Sequence, residues 1–386
     1  MKAPTPRHLR KYVAGCLRLK WYLQEPGDGR VQPQIPAGIL LWSLLVGQIL
    51  RECSFAAVEA LACSSARPAL GFSRTFGDDA LSYFVERADP NVTRTAAVDV
   101  IRRAKRNKAF DDSRFIGLAL DGTRAGGSQE KICPLCRPTK NKKEEIVGYH
   151  HELVMISVVG TGLSLPFDVE PYGPGDSEYA AGQRLLRRAL GHCGPRFADY
   201  LVVDSKFATA PFLKTAGKLK LPVVARLKDN LPELFTAAQK RFGAEPPHAV
   251  FRYGQDRVEI WDADDFDPWD TLDWETVRVV RYRQHKPDGQ IIDAYWLTNF
   301  LQRRVGSREI FRIGKSRWEI ENQGFNDGKN RHHMEHICHH EANSLVVVWL
   351  IMALALTIER LYRLRYLHRG NHPVLTAIAL VRLLRL

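Results

Sequence analysis

The spacing of apolar positions changes several times along the chain, and each change marks a different kind of structure. Up to about residue 108 the apolar residues recur at helical intervals, predicting helices over 35–50, 55–63, 78–87 and 92–105 with Pro, Gly and Ser between them. The period then shortens. Residues 115–120 and 201–203 are unbroken apolar runs, as expected of strands covered on both faces of a sheet. Segments 152–159 and 163–169, joined by Gly160-Thr-Gly162, predict an antiparallel pair, and 177–190 and 208–216 predict helices on either side of the 201–203 strand. A strand follows at 221–227. Beyond it, 250–253, 257–261, 276–282 and 291–297 alternate in β fashion, and 344–365 is apolar enough to be a buried helix that closes the core.

Three acidic residues stand out against this pattern. Asp121, in Leu118-Ala-Leu-Asp-Gly-Thr123, and Asp204, in Tyr200-Leu-Val-Val-Asp-Ser205, both stand where an apolar strand-like run stops, and Glu321 lies on the charged helical segment 315–322. A carboxylate at the end of a buried strand is costly to desolvate unless a cation or hydrogen-bond donors meet it. Asp also caps turns after strands, which is the plainer explanation for either Asp alone. Together with a helix-borne Glu, however, the two supply hard oxygen ligands suited to Mg²⁺ or Mn²⁺. Paired ions of that kind serve in-line displacement at phosphorus, so the trio points to phosphoryl transfer on nucleic acid.

Helical spacing adds detail around Glu321. Arg317 and Glu321 are four apart and share a face, whereas Glu319 points elsewhere. The run Gly324-Phe-Asn-Asp-Gly-Lys329 is poor helix sequence and predicts a break or kink there. Lys315, Arg317, Lys329 and Arg331 would then surround the acid with charge suited to holding DNA phosphates.

Charge changes the picture in the same direction. The 386 residues carry a formal net charge of +13, which implies an acidic partner. Between residues 228 and 275 twelve acidic residues face five basic ones, so the rest of the chain is more basic than the total suggests. Basic clusters at 102–108, 137–143 and 303–317 are candidate phosphate contacts. The start lacks an apolar signal core, and the apolar stretches 39–50 and 345–356 are short for membrane spans, so the expectation is a cytoplasmic, DNA-associated protein without a membrane partner. The seven cysteines, odd in number and scattered, fit a reducing compartment better than a disulfide framework.

Two further clusters offer softer ligands. Cys133-Pro-Leu-Cys136 with His150 and His151 forms a candidate structural Zn²⁺ site, although a second CxxC is missing. On a continuous helix His332, His336 and His340 would share one face, a weaker metal candidate. Trp261, Trp269 and Trp274 read mainly as packing residues, with stacking on a flipped base as the alternative.

The acid contexts resemble those of DDE transposases of the insertion-sequence-4 family. Asp121-Gly122-Thr123 matches the family's first acid, Val203-Asp204-Ser-Lys-Phe207 its second, and Arg317 with Glu321 keeps the spacing of its Tyr, Arg, Glu, Lys signature. Trp318, Ile320 and the segment Trp296-Leu-Thr-Asn-Phe300 are also family-like. Gly314 stands where the signature has Tyr, and Lys329 falls one residue beyond the place of its Lys, which Gly328 occupies. The resemblance covers roughly residues 110 to 340. It implies an α/β fold: an RNase H-like catalytic core interrupted by a strand-rich insertion, with an α-helical N-terminal domain and C-terminal helices. The corresponding boundaries are 1–108 for the helical domain with a DNA-end-binding role, 109–227 and 293–342 for the two parts of the core, 228–292 for the insertion and 343–386 for the last helices. It also implies a transposase that cleaves transposon ends with Mg²⁺ or Mn²⁺ and transfers the 3′-hydroxyl to target DNA, acting as a homodimer in a synaptic complex. A DNA-binding protein derived from a transposase, or a metal-dependent nuclease without strand transfer, would share the same residues.

Overall fold

The computed structural model describes residues 4–110 and 113–385, and is organised around a ten-stranded mixed sheet. Its strands are β1 (Gly117–Ser128), β2 (Arg137–Lys140), β3 (Ile146–Val159), β4 (Leu165–Pro171), β5 (Tyr200–Val203), β6 (Val223–Leu227), β7 (Ala249–Tyr253), β8 (Asp256–Phe266), β9 (Val277–His285) and β10 (Ile291–Thr298). They lie in the order β2-β3-β1-β5-β6-β10-β9-β8-β7, with β4 paired to β3. β3 is antiparallel to β1 and β4, whereas β5 runs parallel to β1 and β6 parallel to β5. The strand-rich segment supplies β7, β8 and β9, which continue this same sheet through β10 and its antiparallel pairing with β6.

Helices cover both faces. The N-terminal set comprises α1 (Pro6–Lys11), α2 (Lys20–Gln24), α3 (Ala37–Leu50), α4 (Phe55–Cys63), α5 (Arg67–Leu70), α6 (Asp78–Arg87) and α7 (Pro90–Arg106). Then come α8 (Glu178–Cys193), α9 (Ala210–Lys218), α10 (Pro232–Ala244), α11 (Ser307–Glu319), α12 (Asn326–Arg331), α13 (Ala342–Tyr366) and α14 (Ala377–Arg385). Helix α7 shows why these segments start where they do. Asp89 accepts the Asn91 N–H at 2.9 Å, Pro90 occupies the first turn without losing a needed donor, and Arg103, Lys105 and Arg106 meet the negative end of the helix.

Strand alternation sorts the sheet into two buried faces. Leu118, Leu120, Leu201 and Val203 pack under α8, α9 and the N-terminal helices, while Ala119, Tyr200, Val202 and Val224 pack under Ile310 and Ile313 of α11 and Trp349 and Leu350 of α13. Burial on both sides explains why these strands are apolar without alternation. Helix α13 touches α3, α6, α7 and β4 and so joins the N-terminal helices to the sheet. It is long and apolar enough to cross a membrane, yet its most apolar stretch is 89% buried within the fold, the position of a core helix. Asp168 on β4 adds a buried tie, accepting from Arg94 of α7 at 3.0 Å and Arg188 of α8 at 2.9 Å.

Candidate active site

The pairing of β1 with β5 sets Asp121 beside Asp204. Ala119 is opposite Val202 and Leu120 opposite Val203, so the two Asp residues are the next positions on adjacent parallel strands, a spacing of roughly 4.8 Å between chains. Because side chains alternate, Asp121 shares the face of Ala119 and Asp204 that of Val202, the face covered by α11. One expectation is corrected: β1 does not stop at Asp121 but runs on to Ser128, with Asp121 opposite Met155 of β3. The apolar run ends there because the parallel pairing with β5 ends at Leu120 and the strand loses cover on that side. Asp204 does close its strand and leads into a single 3-10 turn, Ser205–Phe207. Its side chain makes no capping hydrogen bond, so turn capping does not account for this Asp.

Glu321 reaches the same place from the opposite layer. The break or kink expected around residues 324–329 takes the form of a π turn at Ile320–Phe325, which interrupts the regular helix without ending it; the chain stays helical through α12 to Arg331. Tertiary contacts override the weak local propensity. Arg360 of α13, almost fully buried, donates to the Gln323 and Ser164 carbonyls and to Asp327 Oδ2 at 2.8 Å. The Gln323 amide in turn accepts from Ser164 N and donates to Gly162 O, both at 3.1 Å. One of these bonds meets a backbone carbonyl of the π turn, that of Gln323, and together they fix the segment that carries Glu321.

Arg317 joins the two layers. Its Nη1 donates to Asp121 Oδ2 at 3.1 Å and to Glu321 Oε1 at 2.6 Å, so a single buried nitrogen serves both carboxylates. Lys228 Nζ stands 4.0 Å from Asp204 Oδ1 on the other side. The three carboxylates do not all approach within 4.8 Å of one another, and the Arg317 guanidinium fills the space between two of them.

Burial dominates the electrostatics. It pushes the Asp121 carboxyl up to about 7; Arg317 and the Gly122 N–H pull it down only in part, and Glu321 and Asp204 push it further up. Glu319 faces away, accepting the Gly160 N–H at 2.9 Å, and burial raises it to about 7 as well. Of the four basic residues expected around the acid, Arg317 lies on the carboxylates and the others are engaged elsewhere. Burial lowers Lys315 to about 8, and its ammonium lies over Trp318, Tyr282 and Phe311. Lys329 pairs with Glu335 at 3.0 Å and Arg331 with Asp327 at 3.1 Å.

Several neighbours escaped the sequence reading. Lys206 pairs with Glu178 at 3.0 Å and is held charged by Glu178 and, more weakly, by Asp204 and Asp121. Glu178 lies against Gly122, where a Cβ would require its carboxylate to swing aside. Gly314 is close-packed in the same way against the Trp296 indole, so this fold has no room for a Tyr there without moving Trp296. The signal for Lys206 was its place inside the Asp-Ser-Lys-Phe motif; Glu178 had none.

The softer ligands are also rearranged. Cys133, Cys136 and His151 meet, but His150 does not join them. As the next residue on β3 it faces the other side, bonded to Thr139 Oγ1 at 2.8 Å and near Arg124 and Glu152. The shared helical face of His332, His336 and His340 does not exist, because α12 ends at Arg331. His332 is buried beside Arg51, 3.8 Å from Glu359. Trp261 packs under Arg281 and donates to Glu245 O at 2.9 Å, while Trp269 and Trp274 lie half-buried against the core.

The family model described as "Transposase DDE domain" matches residues 112–358, more than half of the chain. The chain belongs to the transposase DDE domain family. This DDE-domain chain also aligns with a piggyBac transposase, solved by cryo-EM as a synaptic complex with hairpin DNA, at 12% identity and a TM-score of 0.47. That alignment covers 98% of this chain and 78% of the other, a likeness too remote to bear on what this chain does. No curated protein matches the sequence.

Proposed function

We propose that the protein is a DNA transposase of the insertion-sequence-4 type, which nicks DNA at the ends of a mobile element and joins the freed 3′-hydroxyl to a target. One observation carries this reading: Asp121 and Glu321, far apart in sequence and on opposite layers, meet at Arg317 beside Asp204, inside a chain of the DDE family. The order β4-β3-β1-β5-β6, antiparallel through β3 and parallel from β1 to β6, supports an RNase H-like core.

The residues fit a divalent ion. Asp204 offers oxygens that cap nothing, and Asp121 is a buried carboxyl whose single Arg partner does not outweigh its desolvation. Asp121, Asp204 and Glu321 would hold Mg²⁺ or Mn²⁺, which when bound supplies charge neutralisation at phosphorus and an activated oxygen nucleophile. The chain's own groups do the rest. Asp121 must give up its proton before it can act as a ligand. Arg317, once released from the carboxylates, is placed to take a non-bridging phosphate oxygen. Lys206 and Lys228 flank Asp204 and would position the DNA backbone. The N-terminal helices would help bind the transposon end, and two copies would hold the two ends.

Cleavage and strand transfer on end-containing DNA test this directly. The intact protein should nick the DNA and form joined products with Mg²⁺, and Asp121→Asn, Asp204→Asn and Glu321→Gln should each abolish both while leaving DNA binding in place. Cut ends without joined products would instead indicate a nuclease; metal-independent binding without cutting would indicate a non-catalytic DNA-binding protein.

A further inference from the structure

Opposite the carboxylates, at the far end of β1, a second cluster has a shape that free thiols and an unpaired imidazole do not require. Cys133 Sγ lies 3.7 Å from Cys136 Sγ and 3.2 Å from His151 Nε2, and Cys136 Sγ lies 3.6 Å from the same nitrogen. With zinc bonds of about 2.3 Å to sulfur and 2.0 Å to nitrogen, the edges of a tetrahedral site come to roughly 3.7 Å between sulfurs and 3.5 Å between sulfur and nitrogen. The three ligand atoms thus already form one triangular face of such a site.

The local backbone supports the same reading. Cys133-Pro-Leu-Cys136 closes a tight turn, Cys136 N–H donating to Cys133 O at 3.1 Å, and the N–H groups of Leu135 and Cys136 are directed at Cys133 Sγ. Donors aimed at a sulfur stabilise a thiolate ligand. All three side chains are buried, with exposures of 5%, 0% and 1% for Cys133, Cys136 and His151. A second imidazole, that of His340, lies just outside this triad: its nitrogens are not within 4.8 Å of all three ligand atoms, so the ring has to swing inward to complete a tetrahedron. The His340 ring centre is 5.8 Å from that of His151, and His340 Nδ1 is buried without a hydrogen-bond partner. A buried polar nitrogen in that condition needs an explanation.

We propose that Cys133, Cys136, His151 and His340 form a structural Zn²⁺ site, with His340 rather than His150 as the fourth ligand. Both thiols release their protons to solvent as the ion binds, and both imidazoles bind neutral. The ligands come from the β1–β2 connection, from β3 and from the segment just before α13, so the ion pins residues 332–340 to the sheet. That segment already lies on β1, where Ile337 occupies the space that a Cβ on Gly126 would need. It also follows directly from α12, and so from the helix that carries Glu321. The site goes beyond the transposase reading and does not depend on it.

The test is metal content and affinity on the full chain. Protein purified with added zinc and desalted should hold one Zn²⁺ per chain, and Co²⁺ in its place should give thiolate charge-transfer absorption. His340→Ala should release zinc to a chelator roughly tenfold or more readily with its circular dichroism unchanged, whereas His150→Ala should retain it like the parent. Absence of stoichiometric metal in protein purified reduced with added zinc, or full retention in His340→Ala, would each overturn the assignment. Because no DNA is involved, these results are independent of whether the carboxylate site cleaves.

Discussion

Replacing Asp121 with Asn isolates the most strongly perturbed group of the carboxylate site. In the folded chain burial lifts this carboxyl from 3.8 to about 7, so keeping it ionised at pH 8 costs at most roughly 4 kcal/mol relative to the unfolded chain. The sign follows from the proton count. Between about pH 4 and 7 the folded form holds a proton that the unfolded form has lost, so Asp121 makes stability fall as pH rises through that window and contributes no further change above it. Asn is neutral at every pH and mimics the protonated acid. Asp121→Asn should therefore match the parent near pH 4 and exceed it by about 1–3 kcal/mol at pH 8, measured by urea unfolding across that range. Comparing variant with parent cancels the similar titration of Glu319. Mg²⁺ or Mn²⁺ should narrow the gap at pH 8 by stabilising only the parent, and the ion's apparent affinity should drop about tenfold per pH unit below 7 as the proton competes. An Asp121→Asn protein no more stable than the parent at pH 8, or a gap that does not change with pH, would refute the reasoning.

Other consequences follow from the same contacts. Arg317→Gln removes the cation shared by Asp121 and Glu321, so divalent-ion affinity measured by calorimetry at pH 8 should rise while DNA cleavage falls. Arg360→Met leaves Asp327 and two carbonyls without their buried partner and should cost about 3–5 kcal/mol in urea unfolding, with slower exchange protection lost first at residues 320–325. Gly122→Ala should cost no more than about 1 kcal/mol, because Glu178 can turn its carboxylate aside at the expense of its exposed ion pair with Lys206, and a combined Gly122→Ala, Glu178→Ala protein should be no less stable than Glu178→Ala alone.

Much of this arrangement was legible in the residues, for identifiable reasons. Long amphipathic or apolar runs with clear stops, such as α4 and α6, appear over Phe55–Cys63 and Asp78–Arg87 as their spacing indicates. The strand-end placement of Asp204 followed from its apolar run, Asp121 lies within β1 where the pairing with β5 stops, and strand alternation alone puts both on one face. Helix α10 was hidden inside a stretch read for its β alternation, although Leu234, Ala238 and Phe242 carry a helical period. Strand β2 is Arg-Pro-Thr-Lys at the sheet edge, with no apolar residue to reveal it beyond the proline. The continuity of the helix past Glu321 could not be read locally, because what overrides its glycines is Arg360, a residue on another helix. The exchange of His150 for His340 has the same origin: strand parity excludes the first, but the second is brought in by the packing of a distant loop.

The central claim is that Asp121, Asp204 and Glu321 hold divalent ions at the site of phosphoryl transfer. Crystals of the protein with end DNA, grown in Mn²⁺ and measured at its absorption edge, test this most directly. The expected result is anomalous density at about 2.2 Å from oxygens of Asp121 and Asp204, with Glu321 alongside and Arg317 withdrawn from Asp121. Saturating Mn²⁺ that leaves Arg317 bridging Asp121 and Glu321, with no anomalous density beside Asp204, would contradict it.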